Sequence, residues 1–367
     1  MAYRRLDTGS VRVQPLAMRT SKHALADILI DPDAPAPEAG AMAPVLDRVV
    51  AAIQDARDRD AAVILCYGAH LVKNGLAPVV SRLLAGGWIT HLATNGAGVI
   101  HDWEYAYGGR SEEDVQANVA HGTFGAWDET GRFTQLALLG GAVDGMGYGE
   151  SLGRFICEEG CSLPDLKVLQ QEVAAWASAP DADESVPARA ELLRAMSAFD
   201  WTAGWQAVPH PHRGHSLTAA AWKQRVPLTV HPGIGYDIVF VHPMAQGSVL
   251  GRAGGIDFGV FAHAVSGLQG GVLLSVGSAV MAPQIFEKAA SVANNLRLQQ
   301  DLERISPFVA VNDLAPMDWD WSVGEPPMDN PAYYLRFCKS FHRIATELVY
   351  AAGDNRVFLG GLWERLR

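Results

Sequence analysis

Polar residues in this chain gather immediately behind short apolar runs. His70, Lys73 and Asn74 follow AAVILCY; Asn95, His101, Asp102 and Glu104 follow WITHLAT; His231 and Asp237, with His242 farther on, follow VPLTV; Asn312, Asp313 and Asp318 follow FVAV. Carboxylates grouped in this way can hold an ammonium or guanidinium ion, and an imidazole beside them can carry a proton. His101, Asp102, Glu104, Asp237 and His242 are therefore the catalytic candidates, with the acids positioning a cation and His101 or His242 moving the proton. Taken one at a time, such residues also serve as caps or surface groups, and Asp102 reads equally well as a helix N-cap.

The same loops are rich in glycine: CYGAHLVKNG, LATNGAGVIHD, TVHPGIGYD and LLSVGSAVMAP. Backbone N–H groups at the start of a following helix favour an anion such as a pyrophosphate. That makes Ala69, Asn74, Asn95, Gly96, Gly98, Gly277, Ser278, Asn312 and Asp313 the candidates for approaching a cofactor. The competing reading is that glycine simply makes tight turns, since no GxGxxG with a downstream acid is present. A third cluster, HPHRGHS, holds His210, His212 and His215, a spacing that could ligate zinc or merely bond the backbone. Nucleophilic catalysis has no support: there is no GxSxG, and Cys66 sits within an apolar run where a thiol is packing.

Positioning those loops requires a particular set of elements. AAVILCYGAH (61–70), WITHLAT (88–94), VPLTVHPG (226–233), GVLLSVGS (271–278) and FVAVND (308–313) read as buried strands. LDRVVAAIQDARDRDA, LAPVVSRLLAGG, IDFGVFAHAVSGL and PQIFEKAASVANNLRL read as helices, and NPAYYLRFCKSFHRIATELVYAAG (330–353) as one long closing helix. Strand–helix–strand alternation predicts a parallel sheet with helices on both faces and its loop tips in a common cleft. Residues 1–45 read as an N-terminal arm ending in the Pro/Ala-rich DPDAPAPEAGAMAP, and 46–367 as a single α/β domain. A helical or irregular insertion is expected around 112–200, within which SLPDLKVLQQEVAAWASAPDADESVPAR reads as a surface excursion.

Composition narrows the partners. Among 367 residues, 40 acidic against 29 basic leave a charge of −11, which disfavours nucleic acid and anionic membranes and favours a small cation. Four cysteines are too few for a disulfide scaffold of this size. The N-terminus lacks the apolar core of a signal peptide, and no apolar run is long enough to span a bilayer. A cytoplasmic protein is the expectation.

Residues 60–105 and 225–340 resemble the deoxyhypusine synthase family, one loose correspondence per strand. GAHLVKNGLAPVVSRLL resembles that family's Thr-Ser-Asn-Leu turn and helix. LATNGAGVIHD resembles its Thr-Thr-Ala-Gly-Gly-Val-Glu-Glu-Asp turn at the NAD site. VPLTVHPGIGYDIVFVH is similar to the segment carrying a polyamine-binding aspartate, which falls on Asp237. GGVLLSVGSAVMAPQIFEKA resembles the Gly-Gly-Gly…Lys-His-His segment. The chain departs from the family where its chemistry is done. The family histidine falls on Pro283 and its asparagine on Glu287; the imine-forming lysine falls near Leu335-Arg336-Phe337, with Lys339 two positions late; and the ribose-holding turn is shortened to PGIGY.

THLATNGAGVIHDWEYAYGG is also similar to a turn of the archaeal-type ornithine cyclodeaminase domain, retaining His101, Asp102 and Glu104. These resemblances imply a Rossmann-like, deoxyhypusine synthase-like fold, NAD as cofactor, and a homo-oligomer, dimer or tetramer. They imply action on a small amine- or guanidine-bearing substrate without synthesis of deoxyhypusine, for lack of the lysine. The alternatives are a metal-dependent hydrolase built on His210, His212 and His215, or a non-catalytic ligand-binding scaffold.

Overall fold

The computed structural model describes residues 3–179, 185–317, 319–334 and 336–367. Asp318 and Leu335 lie outside the described residues. The strands, in chain order, are β1 (Ser21–Ala24), β2 (Val63–Tyr67), β3 (His91–Asn95), β4 (Arg110–Glu113), β5 (Gly160–Leu163), β6 (Gly204–Ala207), β7 (Leu228–His231), β8 (Val272–Val276), β9 (Phe308–Asp313) and β10 (Glu347–Ala352). The chain divides into two compact units: Met1–Asp27 with Ile100–Ala219 and Pro232–Ile256, and Ile28–Val99 with Ala220–His231 and Asp257–Arg367.

The second unit holds a six-stranded sheet in the order β10-β9-β8-β2-β3-β7, every pair parallel. All five residues of β2 and all five of β8 are buried, so both faces of the sheet are covered, as continuous apolar runs require. On one face Ile64, Cys66, Leu273 and Val309 pack with Phe261, Phe286 and Phe341. The helix Ala43–Asp58, which buries Leu46, Val49, Val50 and Ile53, packs on the sheet and on the closing helix Asn355–Leu366. The chain thus has the α/β fold, a Rossmann-like parallel sheet flanked by helices. Renumbered in chain order within the sheet, the strands run 3-2-1-4-5-6 across it. This is the arrangement of doubly wound dinucleotide-binding folds, whose order reverses between strands 1 and 4.

The first unit carries two short antiparallel ladders, β1 with β4 and β5 with β6. Within the expected N-terminal arm, β1 is ordered by this pairing, and Leu25 donates to the Gly109 carbonyl at 2.8 Å. Residues 31–39, the Pro/Ala-rich part, form no helix or strand.

One expectation about elements is corrected. Residues 330–353 are not one helix: a helix at Arg336–His342 gives way to β10, which pairs in parallel with β9 from Glu347↔Phe308 to Ala352↔Asp313. The Leu-Val-Tyr run has strand propensity, and the exposed edge of β9 supplied the partner that helical spacing could not reveal. The expected surface excursion contains two helices, Leu166–Ser178 and Ser185–Ala198, packed on one another. Asp165 caps the first through the Lys167 amide at 2.7 Å. No helix among the described residues is long and apolar enough to cross a membrane.

Candidate functional site

At the carboxyl edge of the second unit's sheet, the reversal of strand order lies between β2 and β8. Gly68 ends β2 and Gly277 ends β8, and the two backbones touch: a Cβ on Gly68 would stand 2.1 Å from the Gly277 carbonyl oxygen. Only glycine permits that approach. Gly277 is left-handed, with φ +57°, and its N–H donates to the Asn312 carbonyl at 2.9 Å. Ala69 opens the short helix behind Gly68, and Ser278 Oγ accepts the Ala282 N–H at 3.3 Å, at the start of the Met281–Leu298 helix.

Asn312 is buried beside them. Its Nδ2 donates to the carbonyls of Ala351 and Gly353, at 2.9 and 3.0 Å, tying β9 to the end of β10. Its Oδ1 is buried without a protein donor. The structure therefore brings Ala69, Gly277, Ser278 and Asn312 together at one edge. The other cofactor candidates are engaged in local structure. Asn95 Oδ1 accepts the Gly98 N–H at 3.0 Å, capping the helix Gly96–Gly108. Gly98 itself is required by Thr94, whose Oγ1 would lie 2.1 Å from an added Cβ. Asn74 Nδ2 donates to Asn355 Oδ1 at 2.8 Å, and Asp313 Oδ1 accepts the Ala315 N–H at 3.0 Å.

A buried polar chain crosses β3 and β7. His91 Nε2 lies 3.0 Å from Thr229 Oγ1, and His231 Nε2 lies 3.2 Å from the same oxygen. Burial pushes His91 down to about 3 and His231 to about 4, so both rings are neutral at physiological pH.

The catalytic candidates all belong to the first unit. Asp102 caps a helix, though not its own: its carboxylate accepts from Ser216 Oγ at 2.6 Å and from the Leu217 and Thr218 amides at 2.8 and 3.0 Å. Burial raises its pKa, and those hydrogen bonds oppose the rise. Glu104 receives Arg19 as a bidentate partner at 2.6 and 2.8 Å, with Thr130 Oγ1 at 2.9 Å and the Ser111 hydroxyl completing its shell. Both acids are about 1% exposed. With four or more donor contacts on one and three on the other, neither is left to hold a substrate cation; each organises the protein instead.

His101 Nδ1 lies 2.7 Å from Ser111 Oγ, which links it to Glu104. His242 is buried against Gly131; its Nδ1 accepts the Met244 N–H at 3.1 Å and its Nε2 lies 3.5 Å from Asp128. Burial lowers its pKa. Asp237 accepts the Gly233 N–H at 2.7 Å, and burial pushes its carboxyl up to about 6.

The zinc alternative is corrected. His210 is fully buried among the rings of Trp103, Tyr107 and Phe155, whereas His212 packs on Gly109 and, like His215, is exposed. Burial lowers His210 to about 4. Among the described residues no three His, Cys, Asp or Glu side chains are placed to hold a metal ion.

Sequence reasoning missed Arg19, Ser111 and Thr130, which partner Glu104 from 85, 7 and 26 residues away. It also missed Ser216, although Ser-Leu-Thr before the apolar AAAW is a legible helix start, and Ser216 Oγ does accept the Ala219 N–H at 3.0 Å.

No family model and no curated protein matches the chain. Among solved structures it is similar to AgrE in its ternary complex with ornithine and NAD+, at 13% identity and TM-score 0.42, over 88% of this chain and 32% of that one. It is similar to ArgZ, an arginine dihydrolase from the ornithine-ammonia cycle in cyanobacteria, at 14% identity and TM-score 0.39, with the same coverage. An LOR/SDH protein from Methanococcus maripaludis S2 matches at 12% identity and TM-score 0.38, over 88% of this chain and 69% of that one. The chain thus spans about a third of the length of AgrE and ArgZ.

Proposed function

We propose that this protein binds NAD at the carboxyl edge of its parallel sheet and acts on a small amine- or guanidine-bearing substrate, in a deoxyhypusine synthase-like fold but without making deoxyhypusine. The observation that carries the reading is the 3-2-1-4-5-6 strand order with Gly68 and Gly277 at its reversal. Ligands of open α/β sheets bind outside the strand ends at that point. The groups there suit a nucleotide: a left-handed glycine with open space in front of it, and a buried Asn312 Oδ1 lacking a donor that a ribose hydroxyl would supply. Ala69, Gly277, Ser278 and Asn312 would hold it, with Asn74, Asn95, Gly96, Gly98 and Asp313 shaping the surrounding turns. When bound, NAD accepts a hydride from the carbon that bears the substrate nitrogen.

The remaining roles belong to the first unit. Asp237, whose carboxyl is pushed up to about 6 by burial, is stabilised in its charged form by an ammonium or guanidinium ion. His101 takes the proton. Deoxyhypusine synthesis needs a neutral lysine for an imine, and Lys339 is a poor substitute. Its ammonium is held by Glu325 at 3.0 Å and by the Tyr333 ring at 4.0 Å, and the Glu325 hydrogen bond raises its pKa. The reading includes a cytoplasmic homo-oligomer, dimer or tetramer.

Calorimetric titration with NAD, then with ornithine, arginine and polyamines in its presence, tests the proposal. Binding of NAD is expected in the wild type, weakened about 10-fold or more in Gly68→Ala, whose Cβ must displace the Gly277 carbonyl. Absence of heat with NAD at millimolar concentration would refute it.

A further inference from the structure

We propose that the second unit carries a separate binding site for a small carboxylic acid with a hydrocarbon body. The site is a cavity of about 480 Å³ between two helices, Gly247–Ser266 and Met281–Leu298. Every residue that lines it belongs to the second unit. The first helix leads into β8 at Val272 and the second into β9 at Phe308, so their last turns lie toward the starts of those strands. Those last turns carry the polar groups of the lining, His263, Arg297 and Gln300. The cavity therefore stands at the opposite end of the strands from Gly68 and Gly277, and it owes nothing to the cofactor reading.

Its walls are apolar, with Phe258, Val292, Leu296 and Leu302 among them. Leu296 is 54% exposed and Leu302 45%, so hydrocarbon that a ligand could cover stands open to water. Arg297 decides what that ligand is. Its Nε donates to the Glu303 carbonyl at 2.7 Å and its Nη1 to the Ser266 carbonyl at 3.2 Å. Taken alone, those bonds make Arg297 a residue that satisfies carbonyls beyond the ends of two helices. A guanidinium has five N–H donors, though, and Nη2 makes no hydrogen bond. Among the described residues Arg297 forms no ion pair, in a chain whose net charge is −11. The two carbonyls thus fix the guanidinium at the cavity while its charge stays unanswered. A carboxylate matches the remaining donors on Nη1 and Nη2, and a hydrocarbon body matches the walls. An ammonium would meet a like charge there. A few placed polar groups in an otherwise apolar cavity of this size is the pattern of a small-molecule site.

Calorimetric titration of the full chain with hexanoate, octanoate and octylamine tests the site. Octanoate should bind and octylamine should not, and octanoate should bind more tightly than hexanoate by about 4-fold per methylene. Arg297→Gln should weaken octanoate about 10-fold or more. Because that variant also loses two carbonyl contacts, Leu296→Glu provides a second reading. It changes an exposed side chain, leaves those contacts in place and sets a carboxylate at the cavity, so it should abolish octanoate binding. Backbone amide shifts on adding octanoate should move at Ala262, His263, Val292 and Ala293. Octylamine binding as well as octanoate, octanoate binding unchanged in Leu296→Glu, or no octanoate heat at millimolar concentration would each overturn the proposal. An oligomer that Leu296→Glu dissociates, with no octanoate heat in the wild type, would give the groove to a second copy of the chain and overturn it equally.

Discussion

Acidification should loosen the second unit well above the range in which carboxylates titrate, because of His91 and His231. Both rings bond Thr229 Oγ1 and are held neutral, near 3 and 4, whereas an unfolded chain protonates them near 6.5. For His91, burial is the main cause, with the charges of His231 and His263 adding to it. The folded pKa lies below the unfolded one, so between these values the unfolded state binds more protons and stability falls as pH falls. Lowering the pH from about 7 to about 5 then costs about 2 kcal/mol for each ring, about 4 kcal/mol for the pair. Carboxylates with lowered pKa, such as Glu287 and Asp354, lose their contribution only at lower pH and do not enter this window. Amide exchange in β2, β3 and β8 as a function of pH measures the effect within the unit. His91→Leu should remove about half of the pH dependence. An opening free energy that stays flat between these pH values, or a slope that His91→Leu leaves unchanged, would refute the assigned neutrality.

The other predictions concern the first unit. Asp102→Ala removes the acceptor of the Ser216 hydroxyl and of the Leu217 and Thr218 amides, so the unit should lose about 2–4 kcal/mol, with the earliest exchange at Leu217 and Thr218. Asp237, protonated in part near pH 6, should release a proton when an ammonium or guanidinium ligand binds. Calorimetry at that pH in buffers of different ionisation enthalpy should then show a buffer-dependent heat that disappears in Asp237→Asn. A heat independent of buffer would remove Asp237 from the binding site.

The sheet was legible because its strands are buried on both faces. VILCY and VLLSV are short, continuous apolar runs of the length of a covered parallel strand, and the glycines that end them mark the turns. Strand order was not legible, since nothing in β2 or β8 states that they are neighbours; pairing across roughly two hundred residues is decided by packing. Tertiary pairing also decided β10, whose sequence satisfies helical spacing until β9 offers it an edge. In the insertion, helical content was legible but its bounds were not, because the first helix buries only Leu169, too narrow a stripe to stand out from a solvated loop.

The His-Asp-x-Glu run shows where reading a site from residue types fails. Its spacing identifies groups that can carry charge, but the partners decide what each does. Asp102 meets three donors at the start of a helix more than a hundred residues later, and Glu104 meets an arginine from the beginning of the chain. A carboxylate whose lone pairs are filled in a buried setting gains nothing from a substrate cation that would have to displace those donors. Asp237 stands differently: it is buried with one backbone donor and a raised pKa, so a cation at its carboxylate relieves a cost that the fold leaves in place. Of the three acids, Asp237 has the fewest partners, and it is the one we propose to meet the cation.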